Sequence, residues 1–406
     1  MSERVIFHID VNSAFLSWEA VERLKNGGKV DLREIPSAVG GDIATRHGVI
    51  LAKSIPAKKY KVTTGEPVVD ALRKCPELVV VQPHHELYQA YSRAFLSILK
   101  QYSDVIEKFS VDEAFVDMTG TRRLFGEPVE AAERMKNQVY RELGFTVNVG
   151  ISSNKILAKM ASDFQKPNRV HTLFPEEIPT KMWPLPVGDL LFAGKSTVRK
   201  LNDMGIRTIG ELANTDLQLL TNVLKKNGEV LWRYANGVDD SEVEPIRPEN
   251  KGYGNSTTIP FDVTDAQTAK EILLKLTDKV CQRLRRDDVK VESVSVQFRF
   301  NDLTRASHQG ILITATNITQ EIYQMVCQLF DEKWDGTPIR LLGVSTTKVS
   351  KEDKGRQLSL FDDTDYEKLE KLDKAMDAIR SRFGNGAVVR ASSMGDIKRK
   401  SDDDAE

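Results

Sequence analysis

Two apolar runs in this chain carry acids where a buried strand tolerates them poorly. Asp10 closes Val5-Ile6-Phe7-His8-Ile9, and the pair Asp112 and Glu113 interrupts a run from Phe109 to Val116. Carboxylates at the ends of buried strands are costly to place unless something cationic compensates them. Hard oxygen ligands suit Mg²⁺, which binds through a few carboxylates, waters and substrate phosphates. Two such ions bridging a nucleophile and a leaving oxygen drive phosphoryl or nucleotidyl transfer. In a strict strand, Asp112 and Glu113 point to opposite faces, so they converge only if a turn or bulge breaks the alternation. A solvated hairpin tip is the bland alternative, and the acids alone do not exclude it.

The bulk properties narrow the field. At 406 residues the chain exceeds one ordinary core, so two to four domains are expected. Apolar residues at 40% and charged residues at 29% give a globular composition. No apolar run reaches membrane-spanning length and no leader precedes the first strand, which predicts no membrane contact and a cytoplasmic location. Cys75, Cys281 and Cys327 are isolated and lack metal-ligand spacing, as in a reducing compartment. With a net charge of −1, nucleic-acid binding has to come from local basic clusters.

Periodicity gives the coarse order of elements. Phe15, Trp18 and Val21 predict a helix over 14–24, and Leu78 to Val81 a buried strand. Tyr91, Phe95, Ile98 and Leu99 mark one face of a helix over 88–102. A strand pair over 105–118 carries the acidic tip, followed by a helix through Ala131, Met135, Val139 and Leu143. A strand at 146–151 and a short helix at 154–164 complete a helix-on-antiparallel-sheet layer. Short helices and tight turns follow from Val187 to Leu220, and the acidic, proline-containing stretch 239–250 reads as a flexible linker. Beyond it, Val294 to Phe300 alternates as a strand, with helices at about 266–285 and 317–333 and a closing strand at 340–348. Tyr366, Leu369, Leu372, Met376, Ile379 and Phe383 form an amphipathic helix in the tail.

Five strings then share order, spacing and type with one family. They are Asp10-Val11-Asn12-Ser13-Ala14-Phe15, Ser110-Val111-Asp112-Glu113-Ala114-Phe115, Gly150-Ile151-Ser152-Ser153-Asn154-Lys155, Lys159-Met160-Ala161-Ser162-Asp163 and Lys166-Pro167-Asn168. In these the chain resembles the Y-family translesion DNA polymerases. The resemblance implies an α+β fold shaped as a right-hand polymerase, with a ferredoxin-like palm, small fingers, a helical thumb with a helix-hairpin-helix, and an α/β little finger. It places palm and fingers at 1–165 (fingers about 20–78), thumb at 166–236, linker at 237–250, little finger at 251–350 and tail at 351–406.

By the same resemblance, Asp10, Asp112 and Glu113 match catalytic, metal-binding carboxylates for two Mg²⁺ ions, with the Val11 carbonyl as a further ligand. Glu113 is the acid nearest the primer 3′-hydroxyl. Phe15 falls on the steric gate, a flat ring that would clash with a ribose 2′-hydroxyl. Ala14, Phe15, Lys58 and Lys159 are candidates for dNTP contact. The polymerase IV branch has Tyr where this chain has Ile55, and Arg where it has Lys58, so a bidentate phosphate contact becomes a point charge. Those two positions resemble the polymerase V catalytic-subunit branch, whereas Lys166-Pro167-Asn168 resembles polymerase IV, and the branch stays open.

Phe192 to Thr197 looks like a helix-hairpin-helix whose backbone amides hold a DNA phosphate, with Gly194 and Lys195 as contacts. Arg283, Arg285 and Arg286 offer further contacts to the backbone of primer–template DNA. In the tail, Gln357-Leu358-Ser359-Leu360-Phe361 is similar to the pentapeptide with which bacterial polymerases bind the sliding clamp, its apolar side chains acting as groove anchors. The resulting expectation is a monomeric enzyme making DNA from dNTPs at low fidelity. A non-catalytic, clamp-bound DNA-binding adaptor of polymerase shape is the alternative. Gly40-Gly41-Asp42, followed by Ile43-Ala44, reads as a turn rather than a cyclic-dinucleotide cyclase signature.

Overall fold

β1 (Ile6–Val11) is buried at all six positions, so it must lie between two other strands. The computed structural model describes residues 4–43, 46, 48–246, 249–351 and 365–390, and these divide into two units. In the first unit, β1 turns through Ser13, which has a left-handed backbone, into α1 (Ala14–Lys25). There follow β2 (Ser37–Gly40), β3 (Ile50–Lys53), α2 (Ile55–Lys59), α3 (Val68–Lys74) and β4 (Val79–Val81). Then come α4 (His85–Leu99), β5 (Ile106–Lys108), β6 (Glu113–Asp117), α5 (Arg122–Phe125) and α6 (Pro128–Leu143). β7 (Val147–Ser152), α7 (Lys155–Asp163) and β8 (Val170–Thr172) close the sheet.

The main sheet runs β5-β6-β1-β7-β8, with β1 antiparallel to both neighbours, and a smaller sheet runs β3-β2-β4. Apolar residues of α1, α4 and α6, among them Trp18, Tyr88, Phe95 and Met135, pack with Phe7, Ile9 and Val149 into one core. The opposite face takes α7. A Cβ on Gly150 would stand 1.9 Å from the Ala158 carbonyl oxygen, so only glycine lets α7 lie this close to β7.

Four helices complete the unit: α8 (Lys195–Asp203), α9 (Ile209–Ala213), α10 (Leu217–Leu224) and α11 (Lys226–Ala235), around a core that includes Leu201, Leu212 and Leu231. The stretch after them departs from the flexible linker expected of its composition. Val243 is buried with Ile6, Phe115 and Ala158. The Lys155 ammonium donates to the Glu242 carbonyl, the Glu244 amide to Glu107, and the Ile156 amide to Asp239. One buried valine and its flanking hydrogen bonds hold this strap against β1, β6 and α7.

The second unit holds β9 (Tyr253–Val263), α12 (Ala266–Arg286), β10 (Lys290–Phe300), β11 (Arg305–Thr316), α13 (Thr319–Lys333), β12 (Ile339–Ser350) and α14 (Tyr366–Phe383). Its antiparallel sheet runs β11-β10-β12-β9, with a core of α12 and α13 residues such as Leu273, Leu276, Ile322 and Phe330. β9 and β11 have no counterpart among the expected strands. β9 contains Pro260, and β11, although its exposure alternates, puts Ile311 and Ile313 on the exposed side, so neither shows the apolar-in, polar-out pattern in sequence. The clamp-like pentapeptide Gln357, Leu358, Ser359, Leu360 and Phe361 lies outside the described residues.

Candidate active site

The site forms where β1 meets the β5–β6 hairpin. Asp10 and Glu113 are facing Cα partners on adjacent antiparallel strands. The hairpin bends before β6 begins, with the Phe109 and Ser110 amides both donating to the Glu113 carbonyl. That bend is the kind of break in alternation without which Asp112 and Glu113 would point to opposite faces. Asp112 lies in it, its carbonyl accepting from the Val11 amide at 3.0 Å and its carboxylate accepting from the Ser110 hydroxyl at 2.6 Å.

Each carboxylate has its own partner. Lys166 Nζ donates to Asp10 Oδ2 at 2.9 Å, and Lys159 Nζ to Glu113 Oε2 at 2.8 Å. His8, wholly buried, faces Glu113 with Nε2 at 3.5 Å and contacts Ser162 Oγ at 2.8 Å through Nδ1. Burial pushes the Asp10 carboxyl up to about 7, against the pull of Lys166. Burial acts on Glu113 too, but the facing His8 and Lys159 outweigh it and carry that group down to about 2. Burial draws His8 down to about 4. Burial also works against the charge on Lys166, yet Asp10 and Asp163 hold its pKa above the usual lysine value.

An amide network sets the floor. Asn12 donates to Asn148 Oδ1 and accepts from Thr146 and from the Asn168 amide, while Asn148 donates to the Ser162 and Gln165 carbonyls. The loop bearing Lys166 is thereby tied to β1 and β7. Among the described residues, no three His, Cys, Asp or Glu side chains are gathered closely enough to hold one ion. Their backbones are adjacent, but each side chain is drawn to its own partner. The donor set nevertheless fits a hard divalent cation: Asp10 and Glu113 on facing positions, with Asp112 and the Val11 carbonyl beside them. Two ammonium groups already meet the charge of these carboxylates.

The remaining expected residues are spread out. Ala14 is buried, and Phe15 is half-buried in the first turn of α1, its ring stacked on Tyr88 at 4.5 Å. Lys58 is exposed on α2. Gly194 precedes α8 and Lys195 begins it, both exposed. The hairpin before them carries Phe192 at φ 67°, where a glycine is easier. In the second unit, Arg283 donates to the Gly254 carbonyl and Arg286 is exposed beside Asp287. Arg285 must be withdrawn as a DNA contact. Its side chain is 7% exposed, and its guanidinium is held by Asp377 at 2.6 Å and Asp373 at 3.0 Å, both on α14. Neither Lys166, the first residue of one quoted motif, nor His8, inside the opening apolar run, carries an expected role from sequence. Only the fold brings them to Asp10 and Glu113.

Comparison with known proteins follows the same geometry. DNA polymerase IV of Clostridium acetobutylicum is 46% identical over 388 residues, 96% of this chain and 98% of the relative. DNA polymerase IV 2 of Bacillus subtilis is 40% identical over 402 residues, covering 97% and 95%. A solved Y-family DNA polymerase chimera of Dbh and Dpo4 superposes with a TM-score of 0.73 at 22% identity, over 86% of this chain and all of that one. The chain belongs to the Y-family DNA polymerases. The polymerase matches an impB/mucB/samB family model over residues 9–163, that family's C-terminal domain over 250–360, and a DNA polymerase-iota thumb-domain model over 192–239. The right-hand polymerase fold is shared with the solved chimera. Y-family polymerases are nucleotidyltransferases that use divalent metals, and no helix among the described residues is long and apolar enough to cross a membrane.

Proposed function

We propose that this polymerase extends a DNA primer from dNTPs along a template, at low fidelity and past damaged bases, with Asp10, Asp112 and Glu113 as its metal-binding acids. The observation that carries this reading is the facing of Asp10 and Glu113 across β1 and β6, with Asp112 hydrogen-bonded through its backbone to Val11. Two Mg²⁺ ions, held by these acids and the Val11 carbonyl, would lower the pKa of the primer 3′-hydroxyl and neutralise developing charge on the triphosphate.

The chain's own residues do the positioning. Glu113, held down to about 2, is a full carboxylate throughout the working pH range. His8 faces it from the buried side, and Lys159, paired with Glu113, is the candidate for a triphosphate contact. Lys58, exposed on α2, offers a point charge to the triphosphate, and Ala14 is a further candidate for dNTP contact. Phe15 excludes a ribose 2′-hydroxyl. Orientation and fixed charge of this kind account for most of the acceleration in phosphoryl transfer.

The domain reading stays with this function: palm and fingers, thumb, and little finger in chain order, with backbone contacts from Gly194, Lys195, Arg283 and Arg286. Gln357 to Phe361 would anchor the polymerase to a sliding clamp, and the enzyme acts as a cytoplasmic monomer. The adaptor reading finds no support, because a non-catalytic scaffold has no use for a buried Asp10 set against the acids of a hairpin bend.

Primer extension on an undamaged template tests the proposal, with Mg²⁺ or Mn²⁺ and with or without a clamp. Extension in either metal supports it, and none in both at high enzyme concentration overturns it. Loss of clamp stimulation on deleting 357–361, with unaided extension retained, tests the pentapeptide.

A further inference from the structure

Behind the candidate gate lies a buried carboxylate that the reaction does not use. Glu19 sits one turn after Phe15 on α1, so both side chains lie on the same helix face. The Tyr88 hydroxyl donates to Glu19 Oε1 at 2.6 Å, His84 Nδ1 donates to the same carboxylate at 2.9 Å, and the His84 amide donates at 3.3 Å. Tyr88 is 1% exposed, and its ring lies nearly parallel to that of Phe15, at 10° and 4.5 Å. His85 stands edge-on to both rings. The chain of contact from Glu19 through Tyr88 to Phe15 is therefore continuous.

We propose that Glu19 is a positioning residue for sugar discrimination, holding through Tyr88 the plane against which the Phe15 ring rests. The proposal rests on Phe15 being the gate. A stacked aromatic excludes a hydroxyl only if it cannot tilt away, and a ring lying on another ring is as rigid as the one beneath it. A buried carboxylate taking three donors fixes the Tyr88 hydroxyl more firmly than a water would. A plain brace between α1 and α4 uses the same contacts, but it predicts lost stability with unchanged selectivity.

The test is steady-state single-nucleotide insertion with paired dNTP and rNTP, comparing wild type with Phe15→Ala, Glu19→Ala, Glu19→Gln and Tyr88→Phe. Glu19→Ala and Tyr88→Phe should each raise the rNTP-over-dNTP ratio of kcat/KM roughly tenfold, the scale set by one hydrogen bond to a charged acceptor. The gain should come mainly through a lower KM for rNTP. Glu19→Gln, which keeps an acceptor, should stay within about twofold of wild type. In a Phe15→Ala background, Glu19→Ala should add nothing. If Phe15→Ala raises the ratio while Glu19→Ala and Tyr88→Phe leave it unchanged, the positioning role fails and the gate stands. An unchanged ratio in Phe15→Ala removes the gate itself, and this proposal with it. Tyr88→Phe keeps the buried ring, so it decides alone if Glu19→Ala does not fold.

Discussion

Lys166 Nζ bridges Asp10 Oδ2 at 2.9 Å and Asp163 Oδ1 at 2.8 Å, so a loop ammonium joins an acid of β1 to the last residue of α7. A cation arriving at Asp10 therefore meets a positive charge already in place. Replacing Lys166 with Met removes that competitor. Divalent binding to the DNA-free polymerase, measured by calorimetry with Mn²⁺, should tighten roughly tenfold, as expected for deleting a like charge a few ångströms away. Weaker binding in the variant would contradict a competing role.

Glu113 and Asp10 differ in ordinary pKa behaviour but share one duty. Glu113→Gln and Asp10→Asn should each lower primer extension roughly a thousandfold while DNA affinity, read by anisotropy, changes little. Chelation with EDTA should stop the wild type completely, and added Mg²⁺ should restore it.

His8 gives a stability signature. Its folded pKa of about 4 lies below the usual 6.5, so the folded state holds it neutral. The associated stability is present above pH 6.5 and is lost as pH falls towards 4. Between pH 7 and pH 5 the loss amounts to about 2 kcal/mol. In metal-free guanidinium unfolding, His8→Asn should be less stable at pH 7 but show a shallower loss on acidification than wild type. Parallel pH profiles would refute the assignment.

Gly150 is the tightest approach in the catalytic layer. A methyl group there meets the Ala158 carbonyl oxygen at 1.9 Å and the Ser162 amide at 2.5 Å, both backbone atoms. Gly150→Ala should cost about 3 kcal/mol or more and pull α7, with Lys159, away from Glu113. Ala158→Gly should not rescue it, because the obstacle is main chain. Denaturant midpoints of Gly150→Ala, Ala158→Gly and the double variant check this.

The three arginines ending α12 should separate cleanly. Arg285→Ala removes the guanidinium that joins buried Asp373 to Asp377, leaving Asp373 to Arg390 and the Thr319 amide, for a cost of about 3 kcal/mol and a protease-sensitive α14. Arg283→Ala and Arg286→Ala should weaken DNA binding with little change in stability. The opposite pattern would return Arg285 to the DNA surface.

Much of the catalytic layer was legible because local signals and tertiary demands agree there. Apolar periodicity over Phe15, Trp18 and Val21 specified α1, and the acid-bearing run Phe109–Val116 could bring Asp112 and Glu113 together only through a turn or bulge. Long-range charge pairing left no such trace. Arg285 meets acids 88 and 92 residues away, and Lys166 meets Asp10 across 156 residues, so no local pattern distinguished the buried arginine from its exposed neighbours. The strap at 239–244 hides its packing for a related reason. Its acidic composition suggested solvent, while one valine and four backbone-directed hydrogen bonds pin it down.

Asp373 does more than hold Arg285. Its Oδ2 also accepts the Thr319 amide at 2.8 Å, so a residue of α14 caps the start of α13, whose preceding Ile318 offers no cap of its own. Trimming the chain after residue 351 would uncap one helix and strip a second of its counter-ions. Shortened versions should thus fail by losing solubility and cooperativity, a defect easily mistaken for the missing partner-binding peptide.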